Sequence, residues 1–199
     1  MAYSVFLRPF IESDVELINK LRNNYEVQKL TCGRFRLVSL EIEKKWVADK
    51  MNHNNDEEYF SICLNDGIGT VIGYFSIREI DIYNRKAHFA GIIIDPQYQD
   101  GLCMIDTNLI ALDYAFNKLG LNRITGSCLE QHITSRIMME MFGFKLEGIE
   151  RNSIYKDHQY YDVCKYAILY NEYCNLIQNG GYSRMNLARK SVQLKKIYK

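Results

Sequence analysis

The stretch Ile92-Ile93-Ile94-Asp95-Pro96-Gln97-Tyr98-Gln99 carries an apolar strand into a short polar loop, and a helix-length amphipathic run begins where that loop ends. A junction of this kind aims several backbone N–H groups and the positive end of a helix dipole at one point, where an anion is held. The loop continues as Asp100-Gly101-Leu102-Cys103-Met104, and a Gly143-Phe144 pair follows a second helical run downstream.

Loop and Gly-Phe pair together resemble the core of the GNAT superfamily of N-acetyltransferases, in its ribosomal-protein alanine, spermidine and amino-sugar branch. The resemblance covers residues 1–170 and leaves residues 171–199 as a C-terminal extension, helical or partly ordered. It implies acetyl-coenzyme A as co-substrate. The pyrophosphate would be cradled by Gln99, Asp100, Gly101, Leu102, Cys103 and Met104, and the pantetheine arm would bond strand backbone at Gly91, Ile92, Ile93 and Ile94. The family loop reads Gln/Arg-x-x-Gly-x-Gly/Ala, whereas Leu102 and Met104 stand at the two small positions here. If those positions need φ > 0, a side chain costs about 1–3 kcal/mol. Gly101, one residue early, offers a shifted register.

The same resemblance assigns roles to side chains. His88, in Arg85-Lys86-Ala87-His88-Phe89, stands where relatives have a Glu, and an imidazole titrating near neutrality takes a proton directly or through water. The competing reading is an ordinary strand histidine. His132 and Ser135 match the family's Asn-x-x-Ala/Ser pair against the coenzyme. The family's tyrosine acid falls at Met139, which has no proton to donate, so that role is empty or passes to Cys128, Ser135 or water; Cys128 otherwise reads as core. Leu21-Arg22-Asn23-Asn24 resembles a Trp-Arg-Asn stretch of amino-sugar nucleotide acetyltransferases, making Arg22 and Asn23 candidates for the substrate, with Arg22 forking onto a phosphate. Tyr160-Tyr161-Asp162-Val163 resembles the Tyr-x-Asp-Val run entering the last strand and adds Tyr161. The implied reaction is acetylation of a primary amine of a small molecule by direct attack, an amino-sugar nucleotide first, with polyamines, aminoglycosides and protein N-termini as rivals. A non-catalytic binding module on the same scaffold is the alternative from another class.

These residues must be held by elements that the sequence predicts. Val5–Pro9 reads as a strand, and Ser13-Asp14-Val15-Glu16 as a capping box opening a helix with Val15, Ile18 and Leu21 inward. Residues 25–38 lack a period and suggest a loop or broken helix; Ser39 caps the next one. Strands follow over residues 59–64 and 70–80, joined by Asn65-Asp66-Gly67, and then over Lys86–Ile94. Ile105, Leu109, Leu112, Phe116 and Leu119 recur at helical spacing until Gly120. Arg123–Leu129, residues 144–150 and residues 161–169 are strands, with a helix over residues 133–142 after the first and a turn at residues 156–159 before the last. The fold class is α+β: a mixed, mostly antiparallel twisted sheet flanked by helices, with splayed central strands implied by the resemblance.

Bulk properties set limits. With 47% hydrophobic and 25% charged residues the chain is globular, and a net charge of +1 gives no field for nucleic acid or an anionic membrane. No signal segment or membrane span is evident. Six cysteines are scattered without C-x-x-C pairs or metal-ligand spacing, so reduced thiols, a cytoplasmic location and no bound metal are expected. The chain suits a monomer or homodimer.

Overall fold

Runs rich in Ile, Val, Phe and Tyr pair into strands β1 (Val5–Pro9), β2 (Glu58–Leu64), β3 (Val71–Asp81), β4 (Lys86–Ile94), β5 (Arg123–Leu129), β6 (Lys145–Lys156) and β7 (Gln159–Leu169). Helices α1 (Val15–Arg22), α2 (Tyr25–Gln28) and α3 (Leu40–Met51) lie between β1 and β2, and α4 (Leu102–Asp113) links β4 to β5. Helix α5 (Ile133–Met141) links β5 to β6, and α6 (Tyr170–Gln178) and α7 (Arg184–Ile197) end the chain. The computed structural model describes residues 3–52, 56–98 and 101–198. One seven-stranded sheet runs in the order β1-β2-β3-β4-β5-β7-β6. Among the described residues only β4 and β5 pair in parallel, an arrangement that needs the helical crossover α4. The mostly antiparallel α+β sheet is therefore as the sequence predicts.

Alternation along each strand divides the core between the two faces. Phe10, Val15, Ile18 and Val47 seal α1 and α3 onto Tyr59 and Tyr74. The adjacent Phe60 and Phe75 point the other way, into the larger cluster shared by Cys103, Leu112, Phe116, Met141 and Phe142. Tyr173 and Leu187 of the C-terminal helices belong to that same cluster. The Tyr182 hydroxyl donates to the Phe142 carbonyl (2.8 Å), and Arg184 donates to the buried Asp106 of α4. Tyr198 closes α7 against α5, its hydroxyl donating to Glu140 and its ring 4.6 Å beneath the Arg136 guanidinium.

The central strands separate as expected, and the register shows how. β3 and β4 pair as Ile77↔Phe89 and then Phe75↔Ile92, so β4 contains one extra residue at Ala90–Gly91. Gly91 takes φ +98°, which a side chain would resist. This bulge bends β4 away from β5, whose ladder with β4 ends at Phe89↔Gly126, while β5 stays paired with β7 as far as Leu129↔Val163. Gly73 holds β3 against the diverging half of β4; a Cβ there would lie 2.1 Å from the Ile93 carbonyl oxygen. Gly73→Ala is expected to lower unfolding free energy by about 3 kcal/mol, the upper part of the overpacking range. Urea denaturation with an unchanged m-value checks this.

Several local expectations are corrected. The capping box at Ser13 does not form: a short 3₁₀ turn, Glu12–Asp14, leads into α1, and the Asp14 carboxylate reaches back to accept from the Ile11 N–H (3.0 Å). Asp14 is recruited there because Arg8 and Ser61 also donate to it. β6 runs six residues beyond the predicted end at Glu150, through a bulge between Glu150 and Ile154 that breaks the alternation. Helix α4 starts at Leu102 and ends in a π-turn, Tyr114–Lys118, before Gly120. Among the described residues no helix is long and apolar enough to cross a membrane.

Candidate active site

The bulge and the junction after β4 build one cleft. Beyond Phe89 the β5-facing edge of β4 has no strand neighbour through residues 90–93, so backbone groups line one wall. At its outer end the first helical turn of α4 presents N–H groups and the positive dipole end. Gly101 occupies the N-cap of α4 with φ +86°. Neither Leu102 nor Met104 has positive φ; both lie in right-handed helix. The expected strain at these two positions is thus corrected: helix α4 begins one residue earlier than the family spacing suggests, and Gly101 takes the left-handed conformation. Leu102 points outward, Cys103 is buried and Met104 packs on the main core. Gln99 and Asp100 lie outside the described residues. The loop's start is pinned by Asp95, which accepts from Lys20 Nζ (2.8 Å) and the Gln97 N–H (3.1 Å). Those bonds, Lys20 first, hold its carboxyl below the usual carboxylate range.

His88 lies at the inner end of the cleft, one residue before the β4–β5 ladder stops. Its Nδ1 is 3.0 Å from Thr125 Oγ1 and its Nε2 3.5 Å from Ser127 Oγ. Burial pushes the imidazole pKa below its ordinary value, Arg78 and Lys165 push the same way, and Glu79 opposes them. At neutral pH the ring is therefore uncharged and can accept a proton.

This cleft, a splayed strand edge opening onto a helix N-terminus with a titratable group at its floor, has a counterpart in known sequences. The family model for the acetyltransferase (GNAT) domain matches residues 4–145. The chain belongs to the GNAT acetyltransferase family. Among curated relatives, the spermidine N(1)-acetyltransferase of Escherichia coli (strain K12) is 26% identical over 172 residues, 86% of this chain and 89% of that one. The crystal structure of spermidine N-acetyltransferase from Vibrio cholerae in complex with CoA and spermine superposes with TM-score 0.79 at 26% identity, covering 86% of this chain and 99% of that one. A GNAT-family acetyltransferase from Bacillus anthracis shares the fold at TM-score 0.73 and 21% identity, over 86% of this chain and 98% of that one.

The remaining GNAT candidates lie on or at the ends of β5, α1, α5 and β7. His132 caps α5 and Ser135 lies in its first turn, both partly buried, at the end of β5. Cys128 is buried in β5, and burial pushes its thiol up to about 12, so it is neither a thiolate nor a useful acid near pH 7. Met139 fills the tyrosine position with an apolar group over Gly126, where a Cβ would come 2.6 Å from its Cε. Arg22 is not available for a substrate phosphate as expected: it pairs with the fully buried Glu43 (2.8 Å) and lies 4.5 Å over the Trp46 ring. Asn23 is likewise occupied, donating to the Val38 carbonyl and accepting from its N–H, each at 2.8 Å. Tyr161 is half-buried on β7 and accepts from Gln159.

Sequence reasoning missed the segment between α2 and α3. Lys156, buried at the β6–β7 turn, donates to the carbonyls of Gln28 (3.0 Å) and Thr31 (2.7 Å), tying this segment to the hairpin. Cys32 is thereby close to Lys165 and the Leu129 backbone, on the His88 side of the sheet. Arg34 and Arg36 are exposed on the stretch that returns to Val38. The long-range lysine anchor leaves no spacing signal, whereas the paired arginines flanking Phe35 are a local one.

Proposed function

We propose that this acetyltransferase transfers acetyl from acetyl-coenzyme A to a primary amine of a small molecule that also carries negative charge, an amino-sugar nucleotide being the first candidate. The observation that carries the acceptor reading is the charge around the cleft floor. Arg34 and Arg36 are exposed on the neighbouring segment, and Arg78 and Lys165 stand near His88, with Glu79 opposing them. A polycation would meet repulsion there, whereas a phosphate would be drawn in. Arg22 no longer supports this reading. The second reading is a polyamine, favoured by the spermidine acetyltransferases among the relatives.

Acetyl-coenzyme A supplies an activated acetyl thioester. The chain fits it: the positive φ falls on a glycine at the start of α4, and the adjoining β4 edge is open to pantetheine amides. In this reading the first turn of α4 binds the pyrophosphate, and His132 and Ser135 on α5 border the arm. His88 accepts the proton that the amine loses as it attacks, with no covalent enzyme intermediate. Cysteines that form no disulfide suit a cytoplasmic enzyme, which would work as a monomer or homodimer.

Two measurements test this. Millimolar acetyl-coenzyme A should raise Tm by several degrees, since a ligand that binds only the native state stabilises it. No shift would return the scaffold-only reading. A thiol-release assay over amine classes should then show turnover of amino-sugar nucleotides above spermidine; the reverse order would establish the polyamine reading.

A further inference from the structure

We infer that Thr125 is a positioning residue that sets the tautomer of His88, placing the hydrogen on Nδ1 and the basic lone pair on Nε2, with Ser127 beside it as the proton's path. The inference rests on the reading that His88 receives the amine's proton.

The single hydrogen of the Thr125 hydroxyl decides the tautomer. Thr125 Oγ1 donates to the Ala87 carbonyl at 3.1 Å, across the last part of the β4–β5 ladder. Its hydrogen is thereby used, and only lone pairs remain for the imidazole nitrogen 3.0 Å away. Nδ1 must then be the donor. A neutral imidazole has one N–H, so Nε2 is left as acceptor. Ser127 Oγ, 3.5 Å from Nε2 and two residues further along β5, supplies the hydrogen that this lone pair accepts. Thr125, Ser127 and His88 share one side of the sheet, since Ile124, Gly126 and Phe89 alternate into the core on the other. Charged groups near the ring are Arg78 and Glu79 on β3 and Lys165 on β7, which stands opposite Ser127. Among the described residues the ring nitrogens meet Thr125 and Ser127 instead, so orientation falls to Thr125.

The proton count is simple. As the amine nitrogen forms its bond to the acetyl carbon, the carbon–sulfur bond breaks and the nitrogen gives up one proton. Ser127 passes its own hydrogen to Nε2 and takes that proton in exchange. His88 becomes an imidazolium that still donates from Nδ1 to Thr125, and solvent protonates the departing thiolate. The wrong tautomer would turn an N–H toward Ser127 and block the exchange.

The test uses ¹⁵N-labelled full-length protein and long-range ¹H–¹⁵N correlation spectra, which report protonation of each ring nitrogen without turnover. Wild type should show Nδ1 protonated and Nε2 bare near neutral pH. Thr125→Val, nearly the same shape without the hydroxyl, should mix or reverse the tautomers and lower kcat by about 10- to 100-fold, with KM for acetyl-coenzyme A unchanged. Thr125→Ser should restore both the spectrum and the rate. A wild-type spectrum with Nδ1 bare would overturn the assignment, whether or not the valine variant folds. So would a Thr125→Val spectrum identical to wild type. A changed tautomer at unchanged kcat would uphold the role of Thr125 and remove His88 as the base.

Discussion

Substitution of His88 by glutamine lowers kcat by about 10²–10⁴ and leaves KM for acetyl-coenzyme A within about twofold. Glutamine keeps a polar side chain of similar reach that can still bond to Thr125, but it cannot take a proton. The pH profile separates this loss from simple disruption. Burial places the folded-state pKa of His88 below its ordinary value of about 6.5, so the wild-type rate rises with pH through that lowered value and levels off near neutrality. In the variant this acid limb disappears. The stability effect has the same direction. Because the unfolded chain binds the proton first as pH falls, the contribution of His88 is complete above about 6.5 and is lost as pH falls through the folded pKa. A variant with near-normal kcat and an intact acid limb would sink the assignment and leave water as the proton acceptor. A variant that fails to fold would make His88 a structural histidine.

Asp106→Ala should cost about 3–5 kcal/mol of unfolding free energy, the range for removing one partner of a buried ion pair. The carboxylate is fully buried and accepts from the Ser4 N–H (2.6 Å), Ser4 Oγ (2.7 Å), Arg184 Nε (2.9 Å) and Arg184 Nη2 (2.6 Å). Arg184 is 28% exposed and can turn to water when its partner is gone, which puts the expected loss toward the lower end. Burial alone would disfavour ionisation of Asp106, but the bonds from Arg184 and Ser4 prevail and hold its carboxyl below the usual range. Its contribution is therefore present above the ordinary carboxylate pKa of about 3.9 and is lost as pH falls through the lowered value. Urea unfolding at pH 7 measures the difference; a loss under about 1 kcal/mol would mean the cluster is relaxed by water.

Elements whose signal is local were readable in advance. Lys86–Ile94 and Arg123–Leu129 came out at the predicted bounds, because a run of apolar residues between turn-forming ones leaves a strand few alternatives. The helix after the loop was visible in Ile105, Leu109 and Leu112 for the same reason. What escaped was decided by partners far along the chain. Arg22 looked like a phosphate fork until Glu43, 21 residues on, claimed it. Leu102 and Met104 looked strained because loop register was counted from Gln99, whereas the φ values depend on where α4 begins. The β6 bulge, with Asn152 at φ +52° and its N–H donating to Asp162, interrupts the alternation that a period-based reading needs. The segment over residues 25–38 has no period of its own, and its position is fixed by a lysine 125 residues beyond Thr31.

Asp106 gathers its donors from Ser4, 102 residues before it, and Arg184, 78 residues after it. During synthesis the carboxylate therefore leaves the ribosome with only its amino-terminal partner to hand. Until the final two helices emerge, burying α4 against β1 would desolvate an anion without its guanidinium, a step costing several kcal/mol. Full docking of this helix therefore waits on α7, which brings Arg184 to the carboxylate. A chain cut after β7 retains every strand but leaves the Asp106 carboxylate with Ser4 and without its guanidinium.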